Sequence, residues 1–358
     1  MTSRYVRWAA ALAIGAGAGY VCARLRTPIP WMLGPLFTLA IVRICGVDVV
    51  APPPSRYVGQ WIIGTSLGLY FTPYVLHEIA GLWWLLVAGA LFAIALGYVS
   101  GIALARMAGF DRTTGIFASV PGGATEMSIL GDRFGGRMDR IAAAQSMRIL
   151  IVVGIVPAAI TALGAHGTDA YVQGAKTFDA GGFALLMALT LAGGAVCYRL
   201  RVPNGFVIGA LGVSIPLTGM SIDLSLMPTP MSNVGQLLLG CALGSRFQDD
   251  FLHGAHRFVT SVVLTVLLSI VLSALFGAAM AWAAGQQAAT LVLGTAPGGM
   301  AEMCVTAKVL QLGVPLVTAF HVTRLVVLLL ATPVIFPHAR KWYRARRRSP
   351  DAPARPPS

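Results

Sequence analysis

Two glutamates, Glu126 and Glu302, are the acidic side chains that lie well inside apolar stretches of this chain. A carboxylate in such surroundings is costly unless it is paired, protonated or bound to a ligand. Each follows a Pro-Gly-Gly triplet, so each would sit in the first turn of a restarted helix, where the helix dipole favours negative charge. Both glutamates could therefore exchange a proton or coordinate a cation, or they could simply bond to loosened backbone.

The triplets themselves, Pro121-Gly122-Gly123 and Pro297-Gly298-Gly299, interrupt hydrophobic sequence. Proline removes a backbone donor and clashes with the preceding turn, and glycine weakens a helix further. A helix broken at membrane depth has free N–H and C=O groups, which are tolerated inside protein or beside a water-filled cavity. We predict that these breaks form a substrate-binding or ion-binding site; a kink without a ligand is the alternative.

Two arginines, Arg148 and Arg324, also lie within apolar segments. Guanidinium stays charged at any relevant pH, so each needs an acidic partner or an anion. The first candidate partner is a glutamate of the same or the other half, and an unpaired arginine would form an anion site. Gln145 and His321 precede the arginines by one helical turn on about the same face. His321 could relay protons or serve as a hydrogen-bonded packing residue.

Two further glutamines, Gln60 and Gln236, stand in matching Val-Gly-Gln sequences. They could line a cavity or join helices through hydrogen bonds. The glycines around the first of them, Gly59 and Gly64, are typical of close helix contacts. The pattern therefore favours packing over ligand binding at these two positions.

The elements that must position these residues are membrane-spanning helices. Of the 358 residues, 56% are hydrophobic and only 11% are charged, with a mean hydropathy of +0.76. Soluble domains carry roughly 25% charged residues. The runs at residues 79–105 and 258–301 contain no Asp, Glu, Lys or Arg, and about 18 apolar residues already suggest a transmembrane helix. We predict an all-α integral membrane protein whose surface contacts the lipid bilayer.

The chain carries an internal sequence repeat. The Val-Gly-Gln sequence, the Pro-Gly-Gly triplet and the intramembrane arginine each recur 176 positions later. One register held over roughly a hundred residues indicates duplication. We predict two homologous membrane repeats, at residues 8–165 and 182–337, separated by a polar linker at 166–181 and followed by a basic cytoplasmic tail at 338–358.

The fifth of six apolar segments in each half decides the orientation of the repeats. If all six segments span, 14 Lys and Arg residues lie inside and 10 outside, leaving out Arg148 and Arg324. If the fifth is re-entrant, each half crosses five times, the halves are inverted and the count is 20 against 4. The positive-inside rule favours this inverted arrangement. We expect a multi-pass protein of the bacterial inner membrane with both termini cytoplasmic.

Together with the Pro-Trp-Met-Leu-Gly-Pro stretch at residues 30–35, the repeated motifs resemble the bacterial AbrB-type membrane protein family, over residues 10–336. That family is marked by an internal duplication, often carries the label "ammonia monooxygenase" and is linked by name to regulation of gene expression. The second half departs from the stretch at residues 205–210, so we expect any role of that motif to be asymmetric. The layout also resembles the cation/proton antiporter and anion-transporter superfamily, whose inverted repeats contain broken helices.

These features lead us to expect a secondary transporter for a small solute or ion, coupled to protons or cations by Glu126 and Glu302. The alternative is a membrane sensor linked to gene regulation. A copper monooxygenase needs clustered histidines or carboxylates, whereas the six histidines here are scattered. We therefore expect that the protein is not an enzyme and that it binds neither a metal nor a cofactor. The basic residues that give the net charge of +13 lie between apolar runs and in the tail. Nucleic acid is therefore not an expected partner, and a homo-oligomer is left open.

Overall fold

The computed structural model describes residues 4–165, 167, 173–175, 177–247, 256–328 and 330. Over these residues the chain is helical and has no strand, which confirms the predicted all-α class. The predicted basic tail and parts of the predicted linker lie outside the described residues. The helices are α1 (Arg4–Arg24), α2 (Pro30–Ile44), α3 (Ser55–Gly68), α4 (Pro73–Gly81), α5 (Trp83–Ala108), α6 (Arg112–Ser119), α7 (Ala124–Arg133), α8 (Met138–Ala162), α9 (Ala180–Arg199), α10 (Gly205–Gly219), α11 (Thr229–Gly244), α12 (His256–Ala284), α13 (Ala288–Thr295), α14 (Met300–Val309) and α15 (Val314–Leu328).

Five of the described helices are long and apolar enough to cross a membrane: α1, α5, α8, α9 and α12. They contain 20 to 29 residues, and about 20 residues suffice to span the hydrocarbon. Three shorter apolar helices, α2, α10 and α15, accompany them. This set of helices fits a membrane protein.

The helices sort into two bundles by their packing. The frame consists of α1, α2, α3, α9, α10 and α11, which contact one another extensively. The hairpin bundle consists of α5 to α8 and α12 to α15; α15 joins it because Phe320 packs against Gly89 of α5 and Gly294 of α13. One cluster of buried apolar side chains contains residues of both bundles, so a cavity between them lies within a shared apolar interface.

Glycines allow close approach of the frame helices. A Cβ at Gly64 of α3 would come within 2.8 Å of Val207 O in α10, and one at Gly240 of α11 within 2.6 Å of Met32 O in α2. Real Cβ atoms essentially never come this close, so both crossings require glycine. Helices from the first half of the chain therefore pack directly onto helices from the second.

The fifth apolar segment of each half folds into a helical hairpin. Just past the end of α7, Arg137 N donates to Thr114 Oγ1 in the first turn of α6, at 2.8 Å. In the second half, a Cβ at Gly313, past the end of α14, would meet Thr290 Cγ2 in α13. The end of each returning helix thus lies beside the start of the entering one. The Pro-Gly-Gly breaks are the tips of these hairpins.

The third apolar segment of the first half is not one continuous helix. Helix α3 ends at Gly68, and α4 begins at Pro73 after the extended residue Thr72. Proline cannot continue a helix and also disfavours helical geometry in the residue before it. The chain therefore turns between α3 and α4, and α4 leads into α5.

An exposed ion-pair cluster fastens the N-terminal end of α1 to the loop after α2. Arg7 of α1 donates to Asp48 Oδ2, and Arg43 Nη1 donates to Asp48 Oδ1 at 2.6 Å. The hydrogen bond from Arg7, with the charges of both guanidinium groups, lowers the pKa of the Asp48 carboxyl below its ordinary value. These ion pairs thus connect the N-terminal end of α1 to the loop after α2.

Candidate functional site

The tips of the two hairpins meet. Pro121 and Pro297 line one small cavity, while Gly122, Gly123 and Gly299 line a second cavity of about 50 Å³. We name the second cavity the chamber. Its polar lining residues are Gln60, Asn204, Arg56, Arg148, Arg246 and Glu302. Both Pro-Gly-Gly breaks therefore border the same pair of cavities; that they bind a substrate or an ion stays a prediction.

The chamber lies between the frame and the hairpin bundle. On the frame side, Asn204 Oδ1 accepts hydrogen bonds from Gln60 Nε2 at 3.0 Å and from Arg56 Nη2 at 3.1 Å. Asn204 precedes α10 in the left-handed conformation, with φ of 52°. Asparagine tolerates this conformation better than most residues, so the turn itself places the amide at the chamber. Gln60 therefore lines the cavity, while Gln236 is buried and its Oε1 atom has no hydrogen-bond partner among the described residues.

The two glutamates occupy equivalent places at the hairpin tips. Each is the third residue of its returning helix, α7 or α14. A Cβ added at Gly123 would collide with Glu126 Oε2, and one at Gly299 would collide with Glu302 Oε2. Each carboxylate therefore folds back over its tip, against the glycine that precedes the returning helix. Glu302 lines the chamber and is 7% exposed, whereas Glu126 lines a larger neighbouring cavity.

The two buried arginines bind backbone carbonyls, not the glutamates. Arg148 Nη1 donates to Ser119 O at 3.0 Å and to Val120 O at 3.1 Å. Arg324 donates from Nη1 to Ala296 O and from Nη2 to Gly298 O, both at 2.8 Å. Among the described residues, neither arginine forms an ion pair with Glu126 or Glu302. The breaks free these carbonyls at the negative ends of α6 and α13, where a cation is favourable.

Gln145 and His321 complete the same arrangement. Gln145 Nε2 donates to Phe117 O at 2.8 Å and to Val120 O at 2.9 Å. His321 Nε2 lies 3.1 Å from Leu293 O, and because a carbonyl only accepts, His321 must carry its proton on Nε2. Both side chains therefore hold entering helices of the hairpins. This contact favours the packing role over the proton relay for His321.

A vestibule of about 970 Å³ adjoins the chamber and shares Arg56, Gln60 and Asn204 with it. Its walls are largely apolar and aromatic, and its further charged residues are three arginines and one glutamate. These residues are Tyr57, Met127, Ile129, Leu130, Phe134, Tyr198 and Val202 on the apolar side, with Glu126, Arg133, Arg199 and Arg201. The vestibule provides a wide, positively charged approach to the chamber.

At the other end of the frame helices, Lys308 closes the gap between the two bundles. Its Nζ donates to Ser66 Oγ in α3 at 2.5 Å and to Ser232 Oγ in α11 at 2.9 Å. Ser66 lies ten residues along α3 from Arg56, which is about 15 Å of helix. The contact thus connects α14 to the frame at the end of α3 that lies away from the vestibule.

Sequence reasoning missed Arg56, Arg246, Asn204 and Lys308. All four lie near helix ends, and the three charged ones were counted as loop charges that set orientation. Only Arg56 gives a usable signal, because it precedes Gln60 by one helical turn and so shares its face. No local pattern distinguishes Arg246, whose place in the chamber depends on how α11 meets the hairpin tips.

Long apolar helices and two hairpins whose broken tips meet at a buried polar chamber define a helical protein of membrane type. The chain belongs to the AbrB family: the family model described as "Transition state regulatory protein AbrB" matches residues 31–340, which confirms the resemblance in the motifs. The chain is 26% identical to "Uncharacterized protein YhjN" of Bacillus subtilis, over 91% of each chain. It is 25% identical to "Putative regulator AbrB" of Escherichia coli, over 86% of this chain and 89% of that protein.

Proposed function

We propose that this protein is a secondary transporter that moves a small solute or ion across the bacterial inner membrane. The observation that carries the proposal is the chamber, where two broken hairpin tips face the frame. Interrupted helices that meet near the membrane midplane are a recurrent plan of secondary transporters. Interrupted helices and buried charges in such a place serve ligand binding far better than they serve stability.

The same geometry supports a duplicated and inverted topology. A hairpin returns the chain to the side from which it entered, so each half crosses the membrane an odd number of times. Gln145 and His321, 176 positions apart, bond to Phe117 and Leu293, which are also 176 positions apart. Equivalent contacts at equivalent positions are what two copies of one unit would make. With both termini cytoplasmic, the vestibule arginines lie on the cytoplasmic side, as the positive-inside rule favours.

In this topology the structure corresponds to a state open to the cytoplasm. The vestibule leads to the chamber from the inside, and Lys308 closes the outer side against Ser66 and Ser232. Transport then requires the hairpin bundle to move against the frame until the outer contact opens. Such a movement would take place along the apolar interface that the two bundles share.

The coupling groups in this proposal are Glu302 and Glu126. Glu302 shares the chamber with the substrate, so its charge state would change with substrate occupancy. Glu126 lines the vestibule, and its Oε2 atom is buried without a hydrogen-bond partner among the described residues. A proton or a cation bound to that oxygen would satisfy it.

Electrogenic current from proteoliposomes tests this function, with jumps of proton, sodium and small organic anions. We expect a current that Glu302→Gln abolishes and that Glu126→Gln reduces. Asp139→Asn is the matched control because Asp139 is an exposed carboxylate, 62% accessible, in surface ion pairs. A current that the glutamate double mutant retains in full would overturn the coupling role, and silence from folded, oriented protein would overturn transport.

The alternative is a membrane sensor that affects gene expression, and the name of the Escherichia coli relative motivates it. In a sensor, the basic tail would contact a partner. Removal of residues 340–358 separates the two functions, since a transporter should keep its flux and a sensor should lose its output. A deletion that leaves current unchanged supports the transporter.

A further inference from the structure

We propose that the substrate is a small organic anion whose carboxylate binds in the chamber between Arg56 and Arg246, with the rest of the molecule in the vestibule. The inference rests on the proposed transport function and names its substrate class. It depends on the charge balance of the chamber, on an unused buried donor, and on the sizes of the two cavities.

The charge balance of the chamber is positive. Three arginines, Arg56, Arg148 and Arg246, line it against the single carboxylate of Glu302. Among the described residues, none of these arginines forms an ion pair. Arg148 is buried, while Arg56 and Arg246 are half-buried, and a charge withdrawn from water without a counter-ion is unfavourable. Guanidinium cannot shed its proton to escape this cost, so an anion from solution is the natural counter-ion.

Arg148 also has a donor left over. Its Nη1 is occupied by the two carbonyls at the tip of the first hairpin, but its Nε is buried and has no hydrogen-bond partner among the described residues. The side chain is 3% exposed and lines the chamber together with two smaller cavities. A buried donor that no protein group satisfies, at the edge of a cavity, is where a ligand oxygen would accept a hydrogen bond.

The returning helices of both hairpins add to the attraction. Helices α7 and α14 each contain ten residues and begin at the tips, directly after Gly123 and Gly299. Their first turns carry the positive end of the helix dipole, and the carboxylate of Glu126 or Glu302 already lies over each tip. Since both glycines line the chamber, two helix starts and the arginines surround one small volume.

The sizes of the two cavities favour an anion with a small charged group and a larger organic body over a compact inorganic anion such as phosphate. The chamber, at about 50 Å³, has room for a group the size of a carboxylate but not for a whole organic molecule. The adjoining vestibule, at about 970 Å³, is of the size of typical small-molecule pockets. Its walls include the rings of Tyr57, Phe134 and Tyr198, which suit an apolar body. An acid with a hydrocarbon or aromatic body therefore fits both cavities together.

Ligand-dependent melting of the full-length protein in detergent tests the proposal. The probes are benzoate and hexanoate, each compared with its neutral amide, and inorganic phosphate at the same ionic strength. We expect the carboxylates to raise the melting temperature and the amides to leave it unchanged. Arg56→Gln and Arg246→Gln should weaken the apparent affinity about tenfold or more, because a charge-assisted hydrogen bond contributes about 1.5–3 kcal/mol.

Two further variants keep the experiment decisive. Arg246→Lys keeps the charge, so it should retain more binding than Arg246→Gln even if both are less stable. Arg106→Gln changes an exposed arginine in the last turn of α5 and should bind as the wild type does. Arginine variants that bind the carboxylates normally would overturn the proposal. So would amides that stabilise as well as the acids, or phosphate that stabilises better than both acids.

Measurements of binding and of flux distinguish a failure of the proposed anion site from a failure of the proposed transport function, on which this inference rests. Carboxylate binding that depends on the arginines, without any current in proteoliposomes, would keep the anion site and refute transport. A current of a cation or neutral solute that depends on Glu302, with the arginine variants unaffected, would keep transport and refute the anion site.

Discussion

Lys308 Nζ donates a hydrogen bond to Ser232 Oγ at 2.9 Å and so joins the second hairpin to the frame. The same ammonium group donates to Ser66 Oγ, so one side chain connects three helices. Position 232 is equivalent by the 176-residue offset to Arg56, which lines the chamber at the opposite end. The two ends of the proposed pathway are therefore chemically different, although the helices around them correspond.

We expect Lys308→Met to open the outer side more often. The substitution keeps an unbranched side chain but removes both hydrogen bonds to the frame. In a variant without its native cysteines, a reporter cysteine at Ala301, which lines the chamber, should react faster with a membrane-impermeant thiol reagent added outside. Val309→Met, at an exposed neighbouring position, should leave the rate unchanged. Equal rates in all three proteins would show that Lys308 does not close the pathway.

The carbonyl contacts of Arg324 predict a large loss of stability in Arg324→Leu. Removal of the guanidinium leaves Ala296 O and Gly298 O without their donor, and each buried, unsatisfied group costs about 1–3 kcal/mol. The melting temperature in detergent should fall by several degrees relative to Arg106→Leu, in which an exposed arginine is lost. Matching melting curves for the two variants would mean that water or another group satisfies these carbonyls.

His321 and Gln145 make equivalent contacts, which gives a sharp test of the histidine. In His321→Gln, the amide N–H can still donate to Leu293 O, so we expect near-normal stability and flux. His321→Leu cannot donate and should be destabilised by about 1–3 kcal/mol. Flux measured across pH 5.5–8.5 distinguishes the packing role of His321 from the proton-relay role. A folded His321→Gln protein that has lost proton-coupled flux would establish a proton relay instead.

A methyl group added at Gly299 is expected to displace the Glu302 side chain and to leave the fold intact. A Cβ there collides with Glu302 Oε2, so Gly299→Ala must displace the carboxylate from the tip. A loss of about 1.4 kcal/mol of binding would weaken apparent substrate affinity about tenfold. Gly212→Ala is the matched control, since a Cβ at Gly212 in α10 meets nothing within 4 Å. Identical transport kinetics in the two variants would remove the carboxylate position from the mechanism.

The hairpin tips and their supporting residues could be predicted from sequence because their signals are local or repeated. Pro-Gly-Gly breaks a helix wherever it stands, and Glu126 and Glu302 follow at fixed distances. Recurrence at one offset then identified Arg148 and Arg324 as equivalent. The backbone carbonyls that these two arginines bind could not be predicted. The sequence shows only side chains, and it does not distinguish a carbonyl partner from a carboxylate partner.

The frame side of the chamber could not be predicted, because long-range packing creates it. Arg56 and Arg246 lie near the ends of α3 and α11, where basic residues ordinarily face the cytoplasmic interface. Only the crossing of these helices with α10 and the hairpin tips brings them to one cavity. Their equivalents by the 176-residue offset, Ser232 and Tyr70, are uncharged, so the repeat gave no hint either.

The glycine crossings of the frame have a consequence for how the protein is made. Helix α3 packs closely against α10 at Gly64, and α11 packs closely against α2 at Gly240. Residues 4–165 therefore cannot complete their packing alone. In a chain inserted into the membrane during synthesis, the close-contact faces of these helices would stay unpaired until residues 205–244 follow. Premature termination in that interval would leave two incomplete surfaces for membrane proteases to detect. The two halves supplied as separate chains, in contrast, could assemble in the same cell.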